Sequence, residues 1–309
     1  MKLAVIIRIL GNENPPRDIP GERVKVLKHI LENEPQPPEV VRFFILNRIV
    51  SDEYRKELQT LLESYQLPVV IIPFNWRIKT TVESVAIHGI AINHARNVAI
   101  ACGANVARYT IVLDGDCGFT EEGLSPVLEE MRRDRYKYLS IPHRRDGQER
   151  QGEPMLAFRN DSELRFDELL AFGQKDKLEL LFQLGHDPTP YSGHLKIEGD
   201  QTKLVGEVIH YATGEPEIEA DNKAREAARR ASLQGLARQI VKQKAERLQE
   251  QRRLRYEIVR REWEKKTTGS SIQRFDGHGK LDTVTMICSC GLPQCSSFRD
   301  EGGSPCKYL

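Results

Sequence analysis

ARYTIVLDGDC, residues 107–117, joins an apolar, β-branched run to two carboxylates separated by one glycine. The run Ala107–Leu113 reads as a strand buried on both faces. Asp114 and Asp116 follow where such a strand opens into a loop, the place where ligands bind in open α/β sheets. Two carboxylates one residue apart can present hard oxygen ligands to Mg²⁺ or Mn²⁺, whose other positions diphosphate oxygens can fill. An Asp-x-Asp also occurs in plain turns, and its place directly after a buried strand is what favours the ligand-binding reading.

Working outward, the runs Leu3–Ile9, Val40–Ile49 and Leu67–Phe74 repeat the same apolar character. Helical patterns over 21–34, 52–65 and 82–102 separate these strands, each long enough for a crossover. Alternation of this kind implies a mostly parallel α/β sheet flanked by helices. Downstream, Thr120 caps a helix over 120–134 with Glu121 and Glu122 in its first turn. A strand at 136–142, a polar loop at 143–153, a strand at 154–159, helical patterns at 162–171 and 174–184 and a last strand at 203–211 complete a domain over 1–214. Residues 218–266 contain no proline and one glycine, Gly235, and read as one or two long helices. Leu233, Leu236, Ile240, Leu248, Val259 and Trp263 give them a patchy apolar stripe. Two further segments follow from composition, a basic helical extension over 215–267 and a Cys-rich tail over 268–309.

The helix before the Asp-x-Asp contains Asn93-His94-Ala95-Arg96-Asn97. The whole stretch INHARNVAIACGANVARYTIVLDGDC, residues 92–117, resembles the centre of nucleotide-sugar-dependent glycosyltransferases of the GT-A fold, family 2-like, and the resemblance covers roughly 1–210. It implies a Rossmann-like GT-A domain in which Asp114 contacts ribose or sugar, Asp116 binds Mn²⁺ or Mg²⁺, and Arg96 and Asn97 orient the nucleotide-sugar. By the same likeness, Arg8, Gly11 and Asn12 fall in the loop that embraces the nucleotide. Asn47 stands where many relatives carry an acidic pair, and Asn75 lies beside the expected base pocket. His210, in preference to His194, is the expected histidine ligand because it ends a strand. The segment 152–185 resembles a group of bacterial proteins with the same front end. By position it forms the acceptor side, with Glu153, Asp161, Asp176 and Glu179 as candidate general bases. None lies in the Glu-Asp dipeptide of inverting relatives, so the resemblance singles out no one of them.

The 309 residues hold 46 Lys+Arg against 45 Asp+Glu, and the formal charge of +1 hides an uneven distribution. Residues 221–266 carry fifteen Lys/Arg against seven Asp/Glu, which leaves the rest of the chain acidic by seven. The basic segment suits a solvated, ion-paired face or contact with a polyanion. The longest apolar runs fall far short of the roughly 18–20 residues of a membrane span. The start MKLAVIIRIL has no small-residue cleavage site, so a cytoplasmic location is expected. Four of the six cysteines, Cys288, Cys290, Cys295 and Cys306, crowd the tail with His278 nearby. They suit a tetrahedral Zn²⁺ site, disulfides, a disordered tail, or a peptide substrate or docking element. The expected partners are a nucleotide-sugar donor and a glycan, peptide or nucleic-acid acceptor. A nucleotidyltransferase and a nucleic-acid-binding scaffold are the alternatives. The single glycine of RILGNENPPRD disfavours the former, which needs a glycine-rich phosphate loop.

Overall fold

Strand β1 (Lys2–Leu10) pairs in parallel with β2 (Val40–Asn47) on one side and with β4 (Ala107–Asp114) on the other. In this computed structural model, residues 1–145, 154–172, 177, 180, 183–184, 201–214 and 222–268 are described. Beyond β2 lies β3 (Val69–Ile72), also parallel. On the other edge β8 (Met155–Arg159) runs antiparallel to β4, β6 (Tyr138–Ile141) runs antiparallel to β8, and β9 (Thr202–Leu204) lies parallel to β6. The seven strands so described follow the order β3-β2-β1-β4-β8-β6-β9. A small second sheet has the order β5-β10-β7, from β5 (Cys117–Gly118), β10 (Val208–His210) and β7 (His143–Arg145). Chain order reverses between β1 and β4, so their carboxyl ends diverge into the crevice where an open α/β sheet receives ligands. Leu10, Gly11 and Asp114 stand at that crevice.

Alternate residues of β1 feed opposite cores, as the two-residue period of a strand requires. Val5, Ile7 and Ile9 meet Ala95, Ala99 and Ile100 of α4 (Ile92–Ala104). Ala4 and Ile6 face Leu124, Val127 and Met131 of α5 (Glu121–Arg133). Leu10 joins Leu27 and Leu31 of α1 (Glu22–Asn33) and Leu58 and Leu62 of α2 (Asp52–Ser64). Ser51 caps α2 through Tyr54 N–H, and Thr120 caps α5 through Gly123 N–H, as its sequence indicates.

Four expected elements differ, each for a local reason. The helix over 82–102 is broken into α3 (Val82–Ser84), a π turn at Val85–Gly89 and then α4. Asn47 Nδ2 donates to the carbonyl of Ile90 at 2.7 Å, and an Arg48 guanidinium nitrogen donates to that of His88. With these carbonyls held from outside, Ala91 takes a left-handed conformation, φ 43°, which an L-residue adopts only under constraint. The segment 162–171 is not helical, because Asn97 grips both N–H and C=O of Phe166 and Asn93 Nδ2 holds the carbonyl of Asp167. The strand at 203–211 is two strands in different sheets, separated by Gly206 at φ +64°. A Cβ there would lie 2.4 Å from the carbonyl oxygen of Gly123. His143–Arg145, within the expected polar loop, form β7 and pair in parallel with β10.

Helix α6 (Asn222–Thr268) is one continuous helix. Two compact units divide within it, Met1–Gln249 and Glu250–Leu309. In the first unit the apolar stripe is used: Leu233, Leu236 and Ile240 pack with Val50, Phe74, Ile78 and Val85. Ser232 Oγ donates to the carbonyl of Asn14 at 2.5 Å, and Arg247 lies 4.2 Å from the Trp76 ring centroid. Leu248 is half exposed, and so, within the second unit, is Val259. There Arg253 pairs with Glu250 and Glu257 along the helix, the ion-paired face its charge pattern suggests. Among the described residues no helix is long and apolar enough to cross a membrane.

Candidate active site

The two carboxylates leave β4 at the crevice, and the glycine between them is sterically required. A Cβ on Gly115 would stand 2.6 Å from Leu10 Cδ2 and 3.0 Å from the Ile9 carbonyl. The turn therefore passes directly beneath the end of β1, and its two flanking side chains enter different surroundings.

Asp114 is held by two cations. Arg96 Nη2 donates to Oδ1 at 3.0 Å and Lys177 Nζ to Oδ2 at 2.9 Å. Arg96 is itself fixed: Nη1 donates to Asn93 Oδ1 at 3.0 Å, and its guanidinium lies over the Phe166 ring at 5.2 Å. Lys177 Nζ also rests 3.1 Å from Met155 Sδ. Burial pushes the Asp114 carboxyl up, but Lys177 and Arg96 together overcome it and hold the group far below the usual carboxylate range. A carboxylate whose folded value is depressed contributes stability that is complete above its unfolded value of about 3.9 and is lost as pH falls toward the folded one. Asp114→Asn is therefore expected to lower stability at pH 7 and to flatten the loss of stability below about pH 4, as read by urea unfolding across pH. Equal acid slopes for the two proteins would rule out this role for the pair.

Asp116 is nearly buried and faces the small sheet. Cys117 and His210 are register partners in β5 and β10, and Tyr211 N–H donates to the Asp116 carbonyl at 2.9 Å. This pairing brings His210 Nε2 to 3.6 Å from Asp116 Oδ2, and the pairing of β10 with β7 sets the His143 ring 5.5 Å from that of His210. Arg23, at the start of α1, lines a small pocket with Gly11, Gly115, Tyr54 and Asp116. Burial again opposes ionisation of Asp116, while His210 and Arg23 favour it, and the balance leaves it well below the usual carboxylate range. Burial and the two carboxylates push the Cys117 thiol up, so it is no nucleophile near neutral pH.

Other residues picked out by sequence are engaged elsewhere. Arg8 is fully buried and turned into the protein, where Nε donates to the Cys117 carbonyl at 2.8 Å and Nη2 binds Glu34; it does not enter the loop after β1. Arg8 already falls within the expected strand Leu3–Ile9, and β1 runs on to Leu10, so its side chain belongs to the interior of the sheet. Asn12 ties the loop after β1 to that after β2, donating to the Arg48 carbonyl at 3.0 Å and accepting from Val50 N–H at 2.7 Å. Asn75 Oδ1 accepts from Arg77 N–H at 2.9 Å in a local turn. Asn97, with Phe166 and Glu168 as partners, anchors the segment after β8 to α4. Asp161 is exposed and paired with Arg159 on the surface. Glu153, Asp176, Glu179, His194, His278, Cys288, Cys290, Cys295 and Cys306 lie outside the described residues.

Sequence reasoning missed Lys177, Arg23, Asn93 and His143. Lys177 sits between Asp176 and Glu179, two of the four candidate bases. The only signal for it was the need of a carboxylate at the end of a buried strand for counter-charge.

No family model matches the sequence, and no curated protein matches it. Among solved structures, the chain is similar to TarS of S. aureus in complex with UDP-GlcNAc, at TM-score 0.45 and 11% identity over 72% of this chain and 61% of that one. It is similar to the mannosyltransferase PcManGT of Pyrobaculum calidifontis in complex with GDP-Man and Mn²⁺, at TM-score 0.45 and 12% identity over 73% and 61%. GalNAc-T7 with UDP, GalNAc and Mn²⁺ gives TM-score 0.45 and 11% identity over 69% and 44%. The chain thus spans less than two thirds of the length of each.

Among the described residues, no three His, Cys, Asp or Glu side chains converge into a closed metal cage. A Mg²⁺-type ion needs no such cage, since one or two protein ligands and substrate phosphates commonly complete its shell. Asp114 has both oxygens bound to cations. Asp116, with His210 beside it, offers an ionised oxygen and an imidazole nitrogen close together, and this donor set fits such an ion.

Proposed function

We propose that the chain is a metal-dependent glycosyltransferase that takes a sugar from a nucleoside-diphosphate sugar. The observation that carries this reading is the division of labour within one Asp-Gly-Asp turn. Asp114 is locked by Arg96 and Lys177, while Asp116, two residues on, is held beside His210 at the crevice between β1 and β4. A plain turn would have no reason to charge-balance both carboxylates separately and to bury one of them.

In this reading Asp116 and His210 hold a Mn²⁺ or Mg²⁺ ion, which when bound neutralises charge on the departing diphosphate. Asp114, about one third exposed at its side chain, accepts from donor hydroxyls, and Arg96 fixes the angle at which it does so. Gly11 leaves open space beside the end of β1 for close approach of the nucleotide. Asn47 Oδ1, buried and without a hydrogen-bond partner among the described residues, is assigned to the nucleotide side. Asp176 and Glu179, which flank Lys177 in sequence, are assigned to deprotonation of the acceptor. The acceptor is a hydroxyl-bearing glycan, peptide or nucleic acid.

Release of free sugar from a panel of nucleoside-diphosphate sugars, with Mn²⁺ and with a chelator, tests the reading. Mn²⁺-dependent release from at least one donor is expected. Release that the chelator leaves untouched would remove the metal from the mechanism.

A further inference from the structure

The buried pair Arg8–Glu34 stands behind the Asp116 turn in a way that packing alone does not explain. β5 is only two residues long, too short to hold its place by strand pairing. One edge of it pairs with β10, placing Cys117 against His210 and Gly118 against Ile209. On the other side, Arg8 Nε donates to the Cys117 carbonyl at 2.8 Å, and Glu34 Oε1 accepts from the Phe119 N–H at 3.0 Å. Arg8 Nη2 and Glu34 Oε1 bind each other directly. Donor and acceptor are thus offered to the carbonyl and N–H of residues two apart, the service a neighbouring strand would perform with its backbone.

This device is poorly suited to stability. Both side chains are essentially unexposed, and among the described residues Arg8 Nη1 and Glu34 Oε2 are buried without hydrogen-bond partners. Arg42 approaches Glu34 Oε2 only to 3.8 Å. Replacing a buried ion pair by apolar groups of like volume is often neutral or stabilising. What the pair does supply is position: it fixes the backbone on either side of Gly118, and so the residue before Cys117 and the residue opposite it.

We propose that Arg8 and Glu34 are positioning residues that set Asp116 against His210 by acting as a side-chain strand along β5. That their target is a metal-holding pair rests on the function proposed above. The pair touches no substrate, and its action reaches the crevice through the backbone of Cys117 and Phe119.

The test compares the wild type with the double variant Arg8→Met/Glu34→Leu and the single variant Arg8→Lys in the full chain, by amide hydrogen exchange and by Mn²⁺ titration. The double variant is expected to stay folded with a lowered thermal midpoint, because the Cys117 carbonyl and the Phe119 N–H lose their side-chain partners, while exchange at Phe119 and Tyr211 accelerates about tenfold or more relative to β1 and β4. Its Mn²⁺ dissociation constant should rise about tenfold to a hundredfold, the range seen when groups behind a metal ligand are removed. Arg8→Lys, a point charge that cannot bridge two oxygens, should fall between. Unchanged exchange at Phe119 and Tyr211 in the folded double variant would overturn the proposal, as would faster exchange accompanied by unaltered Mn²⁺ affinity. If the double variant fails to fold, Arg8→Lys carries the same readout. A wild type that binds no Mn²⁺ would instead refute the proposed function, and the exchange data alone would then decide the role of the pair.

Discussion

Asp116→Ala is expected to lower metal-dependent turnover of a nucleoside-diphosphate sugar by about 10³-fold or more while the chain stays folded. Arg96 and Lys177 both bind Asp114, so only Asp116 of the two is placed to give an oxygen to a cation. Removing it leaves His210 as a single side-chain ligand, too little to hold a hard divalent ion without the substrate. The fold should survive because the strand pairing of Cys117 with His210 and the Tyr211 N–H contact to the Asp116 backbone carbonyl do not use the side chain. Asp116→Asn, which keeps shape and loses charge, should be nearly as inactive. Turnover within a few-fold of wild type in either variant would sink the assignment.

Arg96→Met should be the most damaging change on α4. It removes the partner of Asp114 Oδ1 and of Asn93 Oδ1 at once, and the stacking on Phe166 with them. Breaking a buried ion pair from one side typically costs about 3–5 kcal/mol. Lys177 remains and the Asp114 side chain is about one third exposed, so the expected loss here is about 2 kcal/mol. The donor affinity should fall about 10²-fold, because Asp114 then keeps its charge without its angle. Arg96→Lys should recover little, since one ammonium cannot reach two oxygens and stack. Chemical denaturation and donor titration check the two parts. Full donor affinity in a destabilised Arg96→Met would confine Arg96 to a structural role.

Much of this site was legible. A buried strand ending in Asp-Gly-Asp, preceded by a helix bearing Arg96, located the crevice, because strand and turn chemistry are local and the apolar period of each strand is written in adjacent residues. His210 was favoured on its place at a strand end, and the structure sets it beside Asp116. Contacts between distant segments were not legible. Lys177 meets Asp114 across 63 positions, and no periodicity announces such a pair. Asn97, expected beside the nucleotide, clamps Phe166 and so overrides the helical pattern of 162–171. The break at 85–91 depends on Asn47 and Arg48 reaching carbonyls some forty residues away. Arg8 was assigned to the loop after the first strand although the apolar run Leu3–Ile9 already contains it. Its burial had a sequence signal, since a strand apolar on both faces has no room for an unpaired charge.

The most direct measurement is the thermal midpoint of the full chain with a panel of nucleoside-diphosphate sugars, each with Mn²⁺ and with chelator. A ligand that binds only the folded state raises the midpoint, by about 2.7 kcal/mol of stability at a hundred times its dissociation constant. At least one nucleotide-sugar should raise it with Mn²⁺, far less with chelator, and not at all in Asp116→Ala. A midpoint that no nucleotide-sugar moves in the presence of Mn²⁺ would contradict the central claim.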